Sequence, residues 1–219
     1  MAACVWCAGK GRTLCAKMEW RCTERGEASV KKRILLGLIS VFKALYNAVY
    51  AVMKLRPMQK KVVMISRQSN SQRPDFEQLG AEIEARDPGV RLVYLCREMG
   101  DTPLELLRYC FHLLHCAAEL STAHVCIIDG YCIPVSVLHH RKELRVVQVW
   151  HALGAIKKFG RQALSVPGGR DKELAERMGM HKHYDAVLCA SHRTAKAYEE
   201  AFGVSADKMR VTGVPRVDA

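Results

Sequence analysis

"HVCIIDGYCIPVSVLHHRKELRVVQVWH", residues 124–151, holds two runs of strand character, residues 124–129 and 145–150, joined by a helical segment near residues 133–141. Strands that are apolar on both faces must be covered on both, and when they alternate with helices they specify a parallel sheet between two helical layers. The same alternation extends outward in both directions. Strands are predicted at residues 61–66, 90–96, 124–129, 145–150, 185–191 and 209–213, and helices near residues 75–86, 102–120, 133–141, 171–179 and 192–202. The fold class is α/β: a Rossmann-like parallel sheet with helices on both faces. A dinucleotide reading fails, because the first strand runs into "RQSNSQRP" and no G-x-G-x-x-G follows it.

The net charge of +12 suggests nucleic acid until it is mapped along the chain. Residues 1–61 carry 13 Lys and Arg against 3 acids, and the remaining residues are close to neutral. A basic block beside an apolar segment points to an anionic membrane surface rather than to nucleic acid. The apolar segment is "KKRILLGLISVFKALYNAVYAVMKLRP", residues 31–57. Within it Ser40, Lys43, Asn47, Tyr50 and Lys54 recur at helical spacing as one polar stripe, opposite Leu35, Leu38, Ile39, Phe42, Leu45, Val49, Val52 and Met53. Such a helix fits the membrane interface, with its lysines at the phosphates and its apolar face among the acyl chains. A membrane span and a helix packed on the protein's own core are the alternatives. The expected organisation is a basic, disordered extension over residues 1–30, a membrane-associating helix over 31–56 and the Rossmann-like domain over 60–219.

Six of the ten cysteines, Cys96, Cys110, Cys116, Cys126, Cys132 and Cys189, fall in apolar periodic segments and read as reduced core residues of a cytosolic domain. Cys4, Cys7, Cys15 and Cys22 supply one C-x-x-C knuckle where a structural zinc site usually pairs two, so no metal and no cofactor is expected.

In open parallel sheets ligands bind beyond the carboxyl ends of the strands. The segments there are residues 66–69, Arg97, residues 129–131, 151–158, Ser191 with His192, and residues 213–216. Among them "VVQVWHALGAIKKFG", residues 146–160, places an aromatic ring, an imidazole and two ammonium groups directly after a strand. That segment resembles the W-H-A-x-G-A-x-K-K-F-G signature of the CDP-glycerol glycerophosphotransferase family, the teichoic acid primases and polymerases. "YDAVLCASHRTAKAYEEAFGV" and "KMRVTGVPRVD" are similar to two further blocks of that family in the same order, so the resemblance covers about residues 31–218.

The resemblance implies the N-terminal, acceptor-side domain of a GT-B-like transferase. Such an enzyme moves glycerol phosphate or ribitol phosphate from CDP-glycerol or CDP-ribitol to a hydroxyl of a lipid-linked polyol phosphate or saccharide acceptor. It would work peripherally on the cytoplasmic face of the cell membrane. The donor would be held mainly by a C-terminal domain beyond Ala219, so this chain is expected to be inactive alone. The competing readings are a non-catalytic membrane-bound interaction module and a nucleotide-sugar glycosyltransferase of the same fold.

An acceptor hydroxyl attacking phosphorus must lose a proton, and a neutral imidazole suits that role near pH 7. His151, on the motif histidine, is the candidate base; the plainer reading is a strand-capping histidine. Lys157 and Lys158 are candidates for neutralising phosphates, against a solvated helix start. Ser191 is either part of an anion site at a helix N-terminus or an ordinary N-cap. Arg216 reaches a phosphate or pairs with Asp218. "SVPGGR", residues 165–170, lacks the ending of a phosphate loop and reads as a turn.

Overall fold

The computed structural model describes the backbone of residues 12–152, 154–164, 166 and 169–215, with side chains from Val30 onward. Two compact units divide the chain, Met1–Phe42 and Lys43–Ala219. The second contains a six-stranded, all-parallel sheet: β1 (Lys61–Ser66), β2 (Arg91–Cys96), β3 (Val125–Ile128), β4 (Arg145–Gln148), β5 (Ala186–Cys189) and β6 (Met209–Val211), in the order β2-β1-β3-β4-β5-β6. The helices are α1 (Arg12–Met53), α2 (Pro74–Arg86), α3 (Pro103–Leu120), α4 (Ile133–Val137), α5 (Lys172–Arg177) and α6 (His192–Phe202).

Every residue of β1 is buried, because the strand feeds two cores. Val63 and Ile65 join Tyr46, Tyr50, Tyr109 and Leu113 on one side, while Val62 and Met64 meet Phe76, Ile127 and Val149 on the other. This is the packing that a doubly apolar strand requires. The strand order reverses between β1 and β3, since β2 lies on one side of β1 and every later strand on the other. Such a reversal opens a crevice at the carboxyl ends of the two central strands.

Helix α1 begins at Arg12, where the sequence suggested a start near residue 31. No proline interrupts residues 12–53, so the good helix formers upstream of the apolar run continue it. The polar stripe of α1 has the opposite orientation to that expected. From Lys43 onward it faces the domain. Lys43 Nζ donates to the Arg177 carbonyl (2.7 Å), and Asn47 donates to the Val137 carbonyl (2.9 Å) while accepting from His139 N–H (2.8 Å). Tyr50 Oη donates to His140 Nδ1 (3.0 Å), whose Nε2 donates to the Val135 carbonyl (2.9 Å). Lys54 Nζ donates to the His139 carbonyl (2.7 Å), and buried Tyr46 donates to the Leu113 carbonyl (2.5 Å).

The apolar side of this segment faces outward: Leu45, Val49 and Val52 are 64, 42 and 67 % exposed. The reversal has a simple cause. The domain surface beneath α1 offers backbone carbonyls and a histidine, and buried carbonyls need donors. The helix expected near residues 133–141 is shorter than predicted: α4 stops at Val137, and His140 beyond it is engaged by Tyr50. Cys116, Cys126, Cys132 and Cys189 are buried as expected, whereas Cys96 is half-buried and Cys110 exposed. Cys110 falls on an outward face of α3 that also carries exposed Leu107, Phe111 and Leu114. Cys4, Cys7, Cys15 and Cys22 lie outside the described side chains.

Candidate active site

A cavity of about 440 Å³ opens at the reversal point. Arg67 and Gln68 enter it from the end of β1, Tyr131 from the end of β3, and Trp150 and His151 from the end of β4. Phe159, Gly160, Gly169, Arg170 and His181 close it from the segments that follow.

His151 donates from Nδ1 to the Asp129 carbonyl (2.8 Å). A neutral ring with its proton on Nδ1 carries its lone pair on Nε2, which is the form a general base needs. The ring is aimed by Trp150, whose φ of 54° lies in the left-handed region. A bulky side chain held there costs on the order of 1–3 kcal/mol and persists only when its surroundings enforce it. The enforcement is visible. Trp150 N–H donates to Gln148 Oε1 (3.0 Å), and Gln148 Nε2 donates to the Gly130 carbonyl (3.1 Å), so one buried amide ties the loops after β3 and β4 together. The indole stacks on Phe159 at 4.7 Å between centroids and meets the edge of Phe202 at 5.1 Å. Gly160 follows with φ 56°, and a Cβ there would collide with the Ala201 carbonyl oxygen, so Phe159 is held by a position only glycine can occupy.

Beneath His151 lies Asp129, buried at 1 % exposure. Its Oδ2 accepts from Ser66 Oγ (2.7 Å) and stands 3.6 Å from Arg73 Nε, while Oδ1 has no partner among the described residues. Burial raises its pKa against the opposing pull of Ser66, Arg73 and His151. The carboxylate is placed to favour an imidazolium once His151 has taken a proton. His181 is also buried. Its Nδ1 pairs with Tyr184 Oη (2.9 Å), and burial, followed by the charges of Arg170 and Arg161, pushes its pKa down to about 3. The ring is therefore neutral. Among the described residues no group of His, Cys, Asp and Glu could hold a metal ion.

Of the candidate base and phosphate contacts His151, Lys157, Lys158 and Ser191, His151 lines the cavity and the other three do not. Lys157 and Lys158 are exposed beside Ile156, which is 97 % exposed, in the segment between the cavity-lining residues His151 and Phe159. Ser191 caps α6: its Oγ accepts from Thr194 N–H (3.2 Å) and hydrogen-bonds Thr194 Oγ1 (3.0 Å). Arg216 lies outside the described residues. Sequence reasoning missed Arg67, Arg170, Gln148 and His181. Arg67 sat in a segment marked only by position, and Arg170 ends the turn "SVPGGR", where composition carries no hint of a ligand.

Residues 48–219 match the family described as CDP-glycerol:poly(glycerophosphate) glycerophosphotransferase. The chain belongs to this family. It is 29 % identical over 182 residues to the teichoic acid ribitol-phosphate primase of Bacillus spizizenii, covering 83 % of this chain and 47 % of that protein. Over 107 residues it is 29 % identical to the teichoic acid glycerol-phosphate primase of Bacillus subtilis, covering 49 % of this chain and 28 % of that one. This family member thus spans about half the length, or less, of the curated relatives it matches. The wall teichoic acid polymerase TagF superposes with a TM-score of 0.58 at 12 % identity, covering 84 % of this chain and 48 % of TagF. A TagF structure with CDPG gives 0.57 at 11 %, covering 84 and 50 %. That likeness shows the fold: the Rossmann-like domain of a GT-B-like family member, preceded by a helix.

Proposed function

We propose that this chain is the acceptor-side part of a CDP-alditol phosphotransferase of teichoic acid synthesis. The observation that carries the reading is His151, locked by the Asp129 carbonyl into the tautomer that leaves Nε2 basic, in a cavity at the strand ends. The acceptor hydroxyl gives its proton to Nε2 as its oxygen attacks the alditol-bearing phosphorus of CDP-glycerol or CDP-ribitol. The phosphoanhydride bond breaks and CMP leaves with the electron pair. The buried Asp129 carboxylate offsets the charge gained by the imidazole, and transfer of the proton to solvent restores the base. Lys157, Lys158, Ser191 and Arg216 remain candidates for contacts with the phosphates of donor or acceptor, in a state where the loops after β4 and β5 meet a bound substrate.

The outward face of α1 supports peripheral attachment to the cytoplasmic surface of the membrane. Val30–Met53 is also long and apolar enough to span a bilayer. A span would have to strip Lys43, Asn47, Tyr50 and Lys54 from their partners and expose them to hydrocarbon, which favours the in-plane arrangement. The lipid-linked acceptor would then meet the cavity at the membrane surface.

The deciding measurement is transfer of labelled alditol phosphate to lipid-linked acceptor in membranes of cells expressing the gene together with a CDP-alditol-binding domain supplied in trans. Label should pass from CDP-glycerol or CDP-ribitol with one CMP released per unit. Transfer from a nucleotide-sugar instead, or membranes no more active than those lacking the gene, would refute the reading.

A further inference from the structure

Arg67 and Arg170 reach the cavity from opposite parts of the chain, the end of β1 and the loop before α5, and converge on one ring. The Arg67 guanidinium carbon lies 6.0 Å from the Tyr131 ring centroid and that of Arg170 5.8 Å. Arg67 is held on its other side by Tyr109, 5.8 Å away, and through Nη1 by the Tyr131 carbonyl (3.3 Å). Its Nε is shielded from solvent and has no hydrogen-bond partner among the described residues. Among the described residues no carboxylate side chain lines the cavity, and His181 is neutral there. Two guanidiniums sharing a hollow without an acid repel each other. The arrangement is relieved by an anion between them.

We infer that Arg67 and Arg170, seated on Tyr131, form a phosphate-binding subsite that holds the terminal phosphate of a polyol-phosphate acceptor beside His151. Two planar forks approaching from different directions suit the tetrahedral oxygens of a phosphate better than the two coplanar oxygens of a carboxylate. A phosphate fixed there presents the hydroxyls of its own alditol to the imidazole. The subsite thereby selects a phosphorylated polyol terminus over an uncharged saccharide. This rests on the transfer reading above for its role, but the binding itself does not depend on catalysis.

The test is a calorimetric titration of the full chain with sn-glycerol 3-phosphate, with CDP-glycerol as a separate arm and with Arg67→Gln, Arg170→Gln and the double variant beside the wild type. A hydrogen bond to a charged group contributes about 1.5–3 kcal/mol, so each single variant should weaken glycerol phosphate binding roughly tenfold to a hundredfold. Arg67→Lys should recover only part of the loss, since an ammonium lacks the fork. Lys172→Gln, a surface change of equal charge, should bind as the wild type. CDP-glycerol affinity should move less than glycerol phosphate affinity in both arginine variants. If CDP-glycerol is the more affected, the site serves the donor and the proposal fails. Unchanged glycerol phosphate affinity in Arg170→Gln, a solvent-exposed position whose substitution leaves the core intact, also overturns it. Arginine-dependent binding in a protein whose His151→Ala variant still transfers would support the subsite while refuting the base.

Discussion

The cavity at the strand ends and the outer face of α1 distribute polarity in opposite ways. In the cavity, polar groups collect without complete satisfaction: Asp129 Oδ1 and Arg67 Nε lack partners among the described residues, and Trp150 sits in a left-handed conformation. Along α1 from Lys43 to Lys54 the polar side chains are engaged by the domain, and apolar side chains are left at the surface. One region keeps polar capacity in reserve for a ligand. The other consumes its own and presents hydrocarbon. The transfer proposed above, from a charged donor to an acceptor with a lipid tail, would use both surfaces, and their difference would separate substitutions that change chemistry from those that change location.

The largest expected effect lies in the cavity. His151→Ala should lower transfer in expressing membranes by about a hundredfold to ten-thousandfold, the range for loss of a general base, with the thermal unfolding midpoint nearly unmoved. If a folded His151→Ala protein keeps more than about a tenth of wild-type turnover, the histidine positions the acceptor rather than deprotonating it. Next comes the α1 face. Leu45→Glu with Val49→Glu removes two apolar side chains whose burial contributes about 1.5–3 kcal/mol each, so partition onto phosphatidylglycerol vesicles should fall by a hundredfold or more. Stability should not change, because both positions are exposed. Equal partition of the double variant would transfer the membrane role to another surface.

A smaller effect concerns pH. His140 and His181 are pushed down to about 4 and about 3, chiefly by burial. The unfolded chain protonates its histidines near pH 6.5 while the folded chain keeps these two neutral, so protons favour the unfolded state between about pH 6.5 and 4. Urea unfolding should show stability falling as pH drops through that window. A flat profile from pH 7.5 to 5 would contradict their burial as neutral rings. The smallest effect is that of Tyr50→Phe, which leaves His140 Nδ1 without its donor and should cost about 1 kcal/mol in chemical unfolding without altering transfer. A matching loss of transfer would show that the docking of α1 is coupled to the cavity, and the contrast between the two regions would fail.

The sheet was legible because apolar runs in a parallel sheet have no alternative partner. All six strands fall within two residues of their predicted limits, and β4 is shorter than predicted because Trp150 leaves the extended conformation to line the cavity. His151 was legible because a strand end fixes where the next residue goes. Lys157 and Lys158 illustrate the opposite case: adjacent lysines in a loop carry charge in the sequence but no direction, and the stacking of Phe159 on Trp150 draws in the aromatic and leaves the cations outside. Arg67 and Arg170 were illegible for the same reason, since their convergence on Tyr131 is a property of the strand order. Amphipathicity divided α1 into two faces correctly but could not say which faced inward.

That inward polar face has a consequence for how the helix stays attached. A helix glued to its domain by hydrocarbon contacts would lose that adhesion in a bilayer, because lipid tails solvate leucine as well as another leucine does. Hydrogen bonds behave in the reverse manner, gaining strength as water withdraws and the local dielectric falls. Under the peripheral attachment proposed above, the contacts made by Lys43, Asn47, Tyr50 and Lys54 would form a fastening that tightens on arrival at the membrane, holding the domain at a fixed height above the lipid.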